Sequence, residues 1–143
     1  MRAISFSFAF LLLCTSAYSQ GVEKVLVKSF NLQGLQEVEF NAPGKVEVRE
    51  WNNTFMRVQM AVKLQNGTEA MLKSLVKAGR YNLYAKPNED VLSVIMPGLR
   101  KQVKVGGKEL EESFSFILFV PSDVQVDLPT ELLSDAAGIP ADL

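Results

Sequence analysis

The chain has 143 residues, no histidine, one cysteine and nearly balanced charge, with 15 Lys and Arg against 16 Asp and Glu. Lacking histidine excludes the commonest general base, the commonest metal ligand and every Ser-His or Cys-His pair. Balanced charge without a long like-charge run gives no footprint for nucleic acid or an anionic membrane.

Residues 1–19 have the form of an export signal. Arg2 supplies a positive start, Ile4 to Leu13 is a short apolar run, and Ala17-Tyr18-Ser19 offers small residues at −3 and −1 of a cleavage site. The run is shorter than the roughly 20 residues of a membrane span. Charges break every later apolar run, so no transmembrane span is expected once the signal is gone. Its removal takes Arg2 and Cys14 together. The basic count falls from 15 to 14 against 16 acidic residues, a net charge of −2. Without cysteine there is no disulfide, thiol chemistry or zinc cluster. An exported chain of that kind suits the periplasm or surface of a bacterium. The alternative use of Cys14, lipidation as in a bacterial lipoprotein, would make the chain a lipid-anchored accessory subunit of an envelope complex. Leu13 stands where that signal normally has a small residue.

Residues 20–128 read as one β domain. Val22 to Phe30 predicts a first strand, with Val25 and Val27 on one face. Gln36 to Phe40 predicts a second, with Val38 and Phe40 inward, closed by the turn residues Asn41-Ala42-Pro43-Gly44. From Lys45 to Leu64, Val46 and Val48 alternate with charge, and Met56, Val58, Met60, Val62 and Leu64 alternate with Arg57, Gln59, Ala61 and Lys63. A period of two sends each set to one face. With Trp51-Asn52-Asn53-Thr54 as turn, the two runs predict a central antiparallel hairpin. Placing Val48 opposite Met56, Val46 opposite Val58 and Glu47 opposite Arg57 avoids like charges face to face.

A helix is expected over about 67–78. Asn66 is the candidate N-cap with Glu69 completing a capping box, Met71, Leu72, Leu75 and Val76 share a face, and Gly79 suits the C-terminal stop. Next come strands Tyr81 to Ala85 and Asp90 to Met96. Arg100 to Glu112 follows as a hairpin turning at Gly106-Gly107, which pairs Val105 with Lys108, Lys104 with Glu109, Val103 with Leu110 and Lys101 with Glu112. Phe114, Phe116, Leu118 and Val120, with Ile117 and Phe119 opposite, predict a central strand covered on both faces. Val124, Val126 and Leu128 end the domain. Residues 129–143 are a tail with room for a short helix over 130–137. The fold expected is mainly β, an antiparallel β-sandwich or short β-solenoid with one helix packed on the sheet.

Few residues suggest chemistry. Glu37, Glu39, Glu47 and Asp127 alternate with apolar neighbours, the pattern of a solvated strand face. Asn88-Glu89-Asp90 is the one tight acidic cluster and reads as a polar turn, so neither a metal nor a cofactor is expected. Asn52-Asn53-Thr54 and Asn66-Gly67-Thr68 match the N-glycosylation acceptor, but turn and helix-start chemistry explain both. Trp51, Phe55, Tyr81 and Tyr84 are the aromatics placed to reach the surface, and Trp51, Phe55 and Tyr84 among them are the candidate binding residues; no catalytic residue is expected.

The run Gly44-Lys45-Val46-Glu47-Val48-Arg49-Glu50-Trp51, with Phe116-Ile117-Leu118-Phe119-Val120-Pro121-Ser122-Asp123-Val124-Gln125-Val126, resembles secreted adhesin-like β-rich domains of the autotransporter-head type, common in Bacteroidota. In them short V-x-V strands alternate with turns, and an apolar strand ending in Val-Pro leads into another V-x-V. The helical insert from Asn66 to Gly79, and an end soon after Pro129 where longer relatives add strands, depart from that pattern. The resemblance implies an envelope or cell-surface interaction module, touching protein or glycan. The competing expectation is a carboxylate-dependent glycan hydrolase.

Overall fold

The structure, a computed structural model, describes residues 21–129. The export signal expected over residues 1–19, with Cys14, and the short helix expected over 130–137 lie outside these residues. Ten strands and one helix follow in order: β1 (Val22–Asn31), β2 (Glu37–Asn41), β3 (Lys45–Glu50), β4 (Phe55–Leu64), α1 (Glu69–Lys77), β5 (Tyr84–Asn88), β6 (Val91–Ile95), β7 (Lys104–Val105), β8 (Lys108–Glu109), β9 (Glu112–Val120) and β10 (Gln125–Asp127). A 3₁₀ turn at Pro97–Arg100 lies between β6 and β7.

Two four-stranded sheets form a sandwich. Sheet A runs β1-β4-β9-β3 and sheet B runs β5-β6-β2-β10, while β7 and β8 make a separate small hairpin. Met56, Val58, Met60, Val62 and Leu64 of β4 meet Val38, Phe40, Leu92 and Val94 of sheet B in one buried core. Phe40 and Phe116 pack edge to face at its centre, 5.0 Å between rings. The mainly β sandwich with one helix is therefore present, but its sheets are mixed: β3 runs parallel to β9, and β2 parallel to both β6 and β10.

The expected hairpin between Lys45 and Leu64 does not form. β9 lies between β3 and β4, pairing parallel with the first and antiparallel with the second. Val48 stands beside Leu118 rather than Met56, and Arg57 beside Phe119 rather than Glu47. The physical reason is the strand best able to hold the centre. β9 has apolar residues on both faces, whereas β3 carries alternating charge and suits an edge. β9 is central as expected, yet its outer residues Ile117 and Phe119 are only half-buried, with no second layer over them among the described residues.

Two local expectations are also revised. Thr68, not Asn66, caps α1, its Oγ1 accepting from the Met71 amide at 3.2 Å. Asn66 instead donates to the Glu109 carbonyl and accepts from the Glu111 amide, tying the helix start to the small hairpin. Tyr81 and Leu83 are buried but precede the strand, which begins at Tyr84 and includes Pro87. Proline is tolerated there because β5 is an edge. At the helix end, Gly79 (φ +79°) works as expected: its amide bonds to Val76 and that of Arg80 to Leu75, a Schellman closure. Gly106 and Gly107, both at positive φ, form the type I′ turn, pairing Val105 with Lys108 and Lys104 with Glu109.

Candidate functional site

The ladder registers fix which side chains point away from the core of sheet A. Successive rows read Glu23, Lys63 and Ser113; Val25, Ala61, Ser115 and Lys45; Val27, Gln59, Ile117 and Glu47; then Ser29, Arg57, Phe119 and Arg49. No layer covers this face among the described residues. Val25 is 49% exposed and Val27 59%. A sheet face with so many apolar side chains left to solvent is unusual for a surface with no partner.

Trp51 and Phe55 come together at one end of this face. Their rings meet edge to face at 4.8 Å, and Trp51 also lies 5.6 Å from Phe119. Arg57 stacks 5.0 Å from the Trp51 ring and Arg49 lies 5.9 Å from Phe119, both within cation–π range. The Trp51 Nε1–H donates to the Phe55 carbonyl at 2.9 Å, which spans the turn and fixes the indole. All three rings are half-buried. Tyr84 does not join them. It sits on β5, the edge of sheet B, 52% exposed, with the Lys28 ammonium 5.3 Å from its ring. Lys28 also donates to the Leu83 carbonyl at 2.6 Å, binding β1 to the approach of β5.

The opposite end of the face opens into a groove of about 640 Å³, flanked by Lys45, Lys63, Ser113 and Ser115 and floored by Phe114 and Glu112. Its deepest polar group is an ion pair that sequence reasoning missed. Arg80 donates Nε and Nη2 to the two Glu112 oxygens at 2.8 and 2.7 Å, and Nη1 to the carbonyls of Gly98 and Lys101. The Tyr81 hydroxyl donates to the same carboxylate at 2.7 Å. Only 9% of either charged side chain is exposed. Burial pushes the Glu112 carboxyl up, but the hydrogen bonds from Arg80 and Tyr81 outweigh it and hold the carboxyl below its ordinary range. Burial, with the same carboxylate beside it, pushes the Tyr81 phenol up. Lys101 was expected opposite Glu112; it contributes a carbonyl instead. No local pattern signals a pair 32 residues apart.

This groove is poorly equipped for hydrolysis. A retaining or inverting glycosidase needs two free carboxyl groups across a scissile bond. Glu112 is a fully engaged carboxylate, which leaves Glu23 alone on the rim. Glu37, Glu39 and Glu47 are exposed strand residues as expected, and Asn88-Glu89-Asp90 is a turn with Glu89 at φ +53°. No group of three potential metal ligands exists among the described residues, and no helix among them is long and apolar enough to cross a membrane.

No family model and no curated protein match the chain. Two solved structures are similar to it. One is described as a "putative cell adhesion protein" from Clostridium sporogenes, with 10% identity, a TM-score of 0.42 and coverage of 75% of this chain and 46% of that one. The other is a "putative adhesin" from Parabacteroides merdae, with 15% identity, a TM-score of 0.33 and coverage of 73% and 35%. The chain spans less than half the length of either.

Proposed function

We propose that the chain is an exported, non-enzymatic interaction module of the bacterial envelope or cell surface, which engages a protein or glycan through the outer face of sheet A. The observation that carries this reading is the apolar group of Val25, Val27, Ile117 and Phe119, uncovered among the described residues and beside two arginines and the Trp51–Phe55 pair. Aromatic and arginine side chains dominate binding energy where a contact excludes water. Trp51 and Phe55 contribute by holding the arginines and Phe119 in place; Tyr84, on another edge, is outside the contact.

The export-signal form of residues 1–19, the lack of histidine and the engagement of Glu112 by Arg80 and Tyr81 support the same reading. The test is retention of purified protein on envelope fractions. Val27→Glu and Arg57→Glu, both at exposed positions, lower retention about tenfold or more while leaving the melting temperature unchanged, as expected for contact residues on a water-excluding face. Unchanged retention overturns the choice of face. Turnover of glycan substrates that depends on one carboxylate overturns the non-enzymatic assignment.

A further inference from the structure

The strand stack has two ends, and only one is closed. At the first, β1 and β5 are the terminal strands, α1 packs on β1, and Lys28 links β1 to Leu83. At the second, the terminal strands are β3 and β10, and among the described residues no strand lies beyond either. Val48 points toward the core side in register with Leu118, yet it is 42% exposed, with no strand following it among the described residues. An open edge offers a row of backbone donors and acceptors to any strand that fits. Charges on such an edge usually discourage pairing, so the question is whether they leave a register open.

They leave one on each sheet. Antiparallel self-pairing of β3 must keep inward residues opposite inward ones. Centring on Glu47 sets Glu47 against itself and Lys45 against Arg49, while centring on Arg49 sets that residue against itself. Like charges exclude both. Centring on Val46 pairs only three residues, because Gly44 (φ +131°) has left the extended conformation. Centring on Val48 uses the whole strand, places Glu47 opposite Arg49 twice and Val46 opposite Glu50, and brings Lys45 beside Trp51. On β10, centring on Gln125 sets Asp123 against Asp127, and centring on Asp127 sets it against itself. Centring on Val126 pairs Gln125 with Asp127 and Val124 with Leu128, inward apolar against inward apolar.

The two centres also coincide in space. Phe40 and Phe116 touch across the core. The chain turns back from β2 into β3 and from β9 into β10 through short connections between the sheets, so β2 and β9 run in opposite directions. Two residues along each, Val38 therefore lies over Leu118. The ladders place Val126 beside Val38 and Val48 beside Leu118. One two-fold axis perpendicular to the sheets passes through both valine positions. We propose that two copies of this chain join through that axis, β3 pairing antiparallel with β3 and β10 with β10, so that both sheets continue from one copy into the other.

The edge borders the outer face, and Glu47 and Arg49 belong to both, but the measurement is self-association without any ligand, so its failure and that of the proposed function are separable. The exported chain should sediment as a dimer. Glu47→Arg, an exposed position, sets Arg against Arg49 at two places and raises the dimer dissociation constant about tenfold or more. Combining Glu47→Arg with Arg49→Glu restores opposite charges across the axis and recovers dimerisation. A chain that stays monomeric up to about 100 µM, a dimer indifferent to Glu47→Arg, or a double variant that fails to recover overturns the proposal.

Discussion

The closed and open ends of the stack are made from the same kind of strand and finished differently. At the closed end, α1 buries Leu72 to 1% exposure, and the chain leaving the helix drives Arg80 into the Glu112 carboxylate. At the open end, Val46 and Val48 alternate with charge as regularly as any core strand, yet Val48 remains largely in water. Alternation selects the face of a strand; burial depends on what lies beyond it.

The sharpest way to break the contrast is at Arg80 and Glu112. Glu112→Ala leaves a guanidinium buried without its counter-charge and should cost about 3–5 kcal/mol in chemical denaturation. Replacing both, with Arg80→Met and Glu112→Leu, should recover much of that loss, because two apolar side chains leave no charge unpaired. The same pair sets an acid limit. Since the folded carboxyl titrates below its ordinary 4.5, its contribution is complete above that value. It is lost as pH falls through the lower folded value, and the loss should disappear in the double variant.

A smaller effect tests the helix as a cap. Leu72→Ala removes the one helical side chain that is fully buried and should cost about 2–4 kcal/mol. Amide exchange along β1 should rise with it, while exchange along β3 stays unchanged. The smallest effect belongs to the open end. In solution dilute enough to keep the chain monomeric, Val48→Ala should change stability by no more than about 0.5 kcal/mol. A cost comparable to that of Leu72→Ala would mean that the end is covered.

How much was legible follows the sequence distance of each interaction. The Gly106-Gly107 hairpin was readable because two adjacent glycines specify its turn and the opposite charges of Lys104 and Glu109 face each other beside it; the outer pairing of Lys101 with Glu112 was not, because Arg80 holds that carboxylate. The stop at Gly79 was readable for the same reason. The Lys45–Leu64 hairpin was misread because nearness in sequence favoured direct pairing, while the two apolar faces of β9, over fifty residues on, competed better for the central position. The Trp51–Phe55 contact lay within one turn and was within reach. Tyr84 joined it in sequence reasoning only because exposure alone says nothing about which sheet an edge belongs to. Arg80 and Glu112 gave no signal, since an ion pair closing a long loop has no period.

By itself, the amino-acid order determined the alternating strands, their inward residues, the single helix and the glycine turns, because each follows from backbone preferences and the burial of one face over a few neighbouring positions. Only the tertiary structure decided which strand sits between which, where the buried ion pair closes the fold, and which edge remains bare. Those outcomes depend on competition among distant segments for the same hydrogen-bonding edge, and no local pattern records who wins.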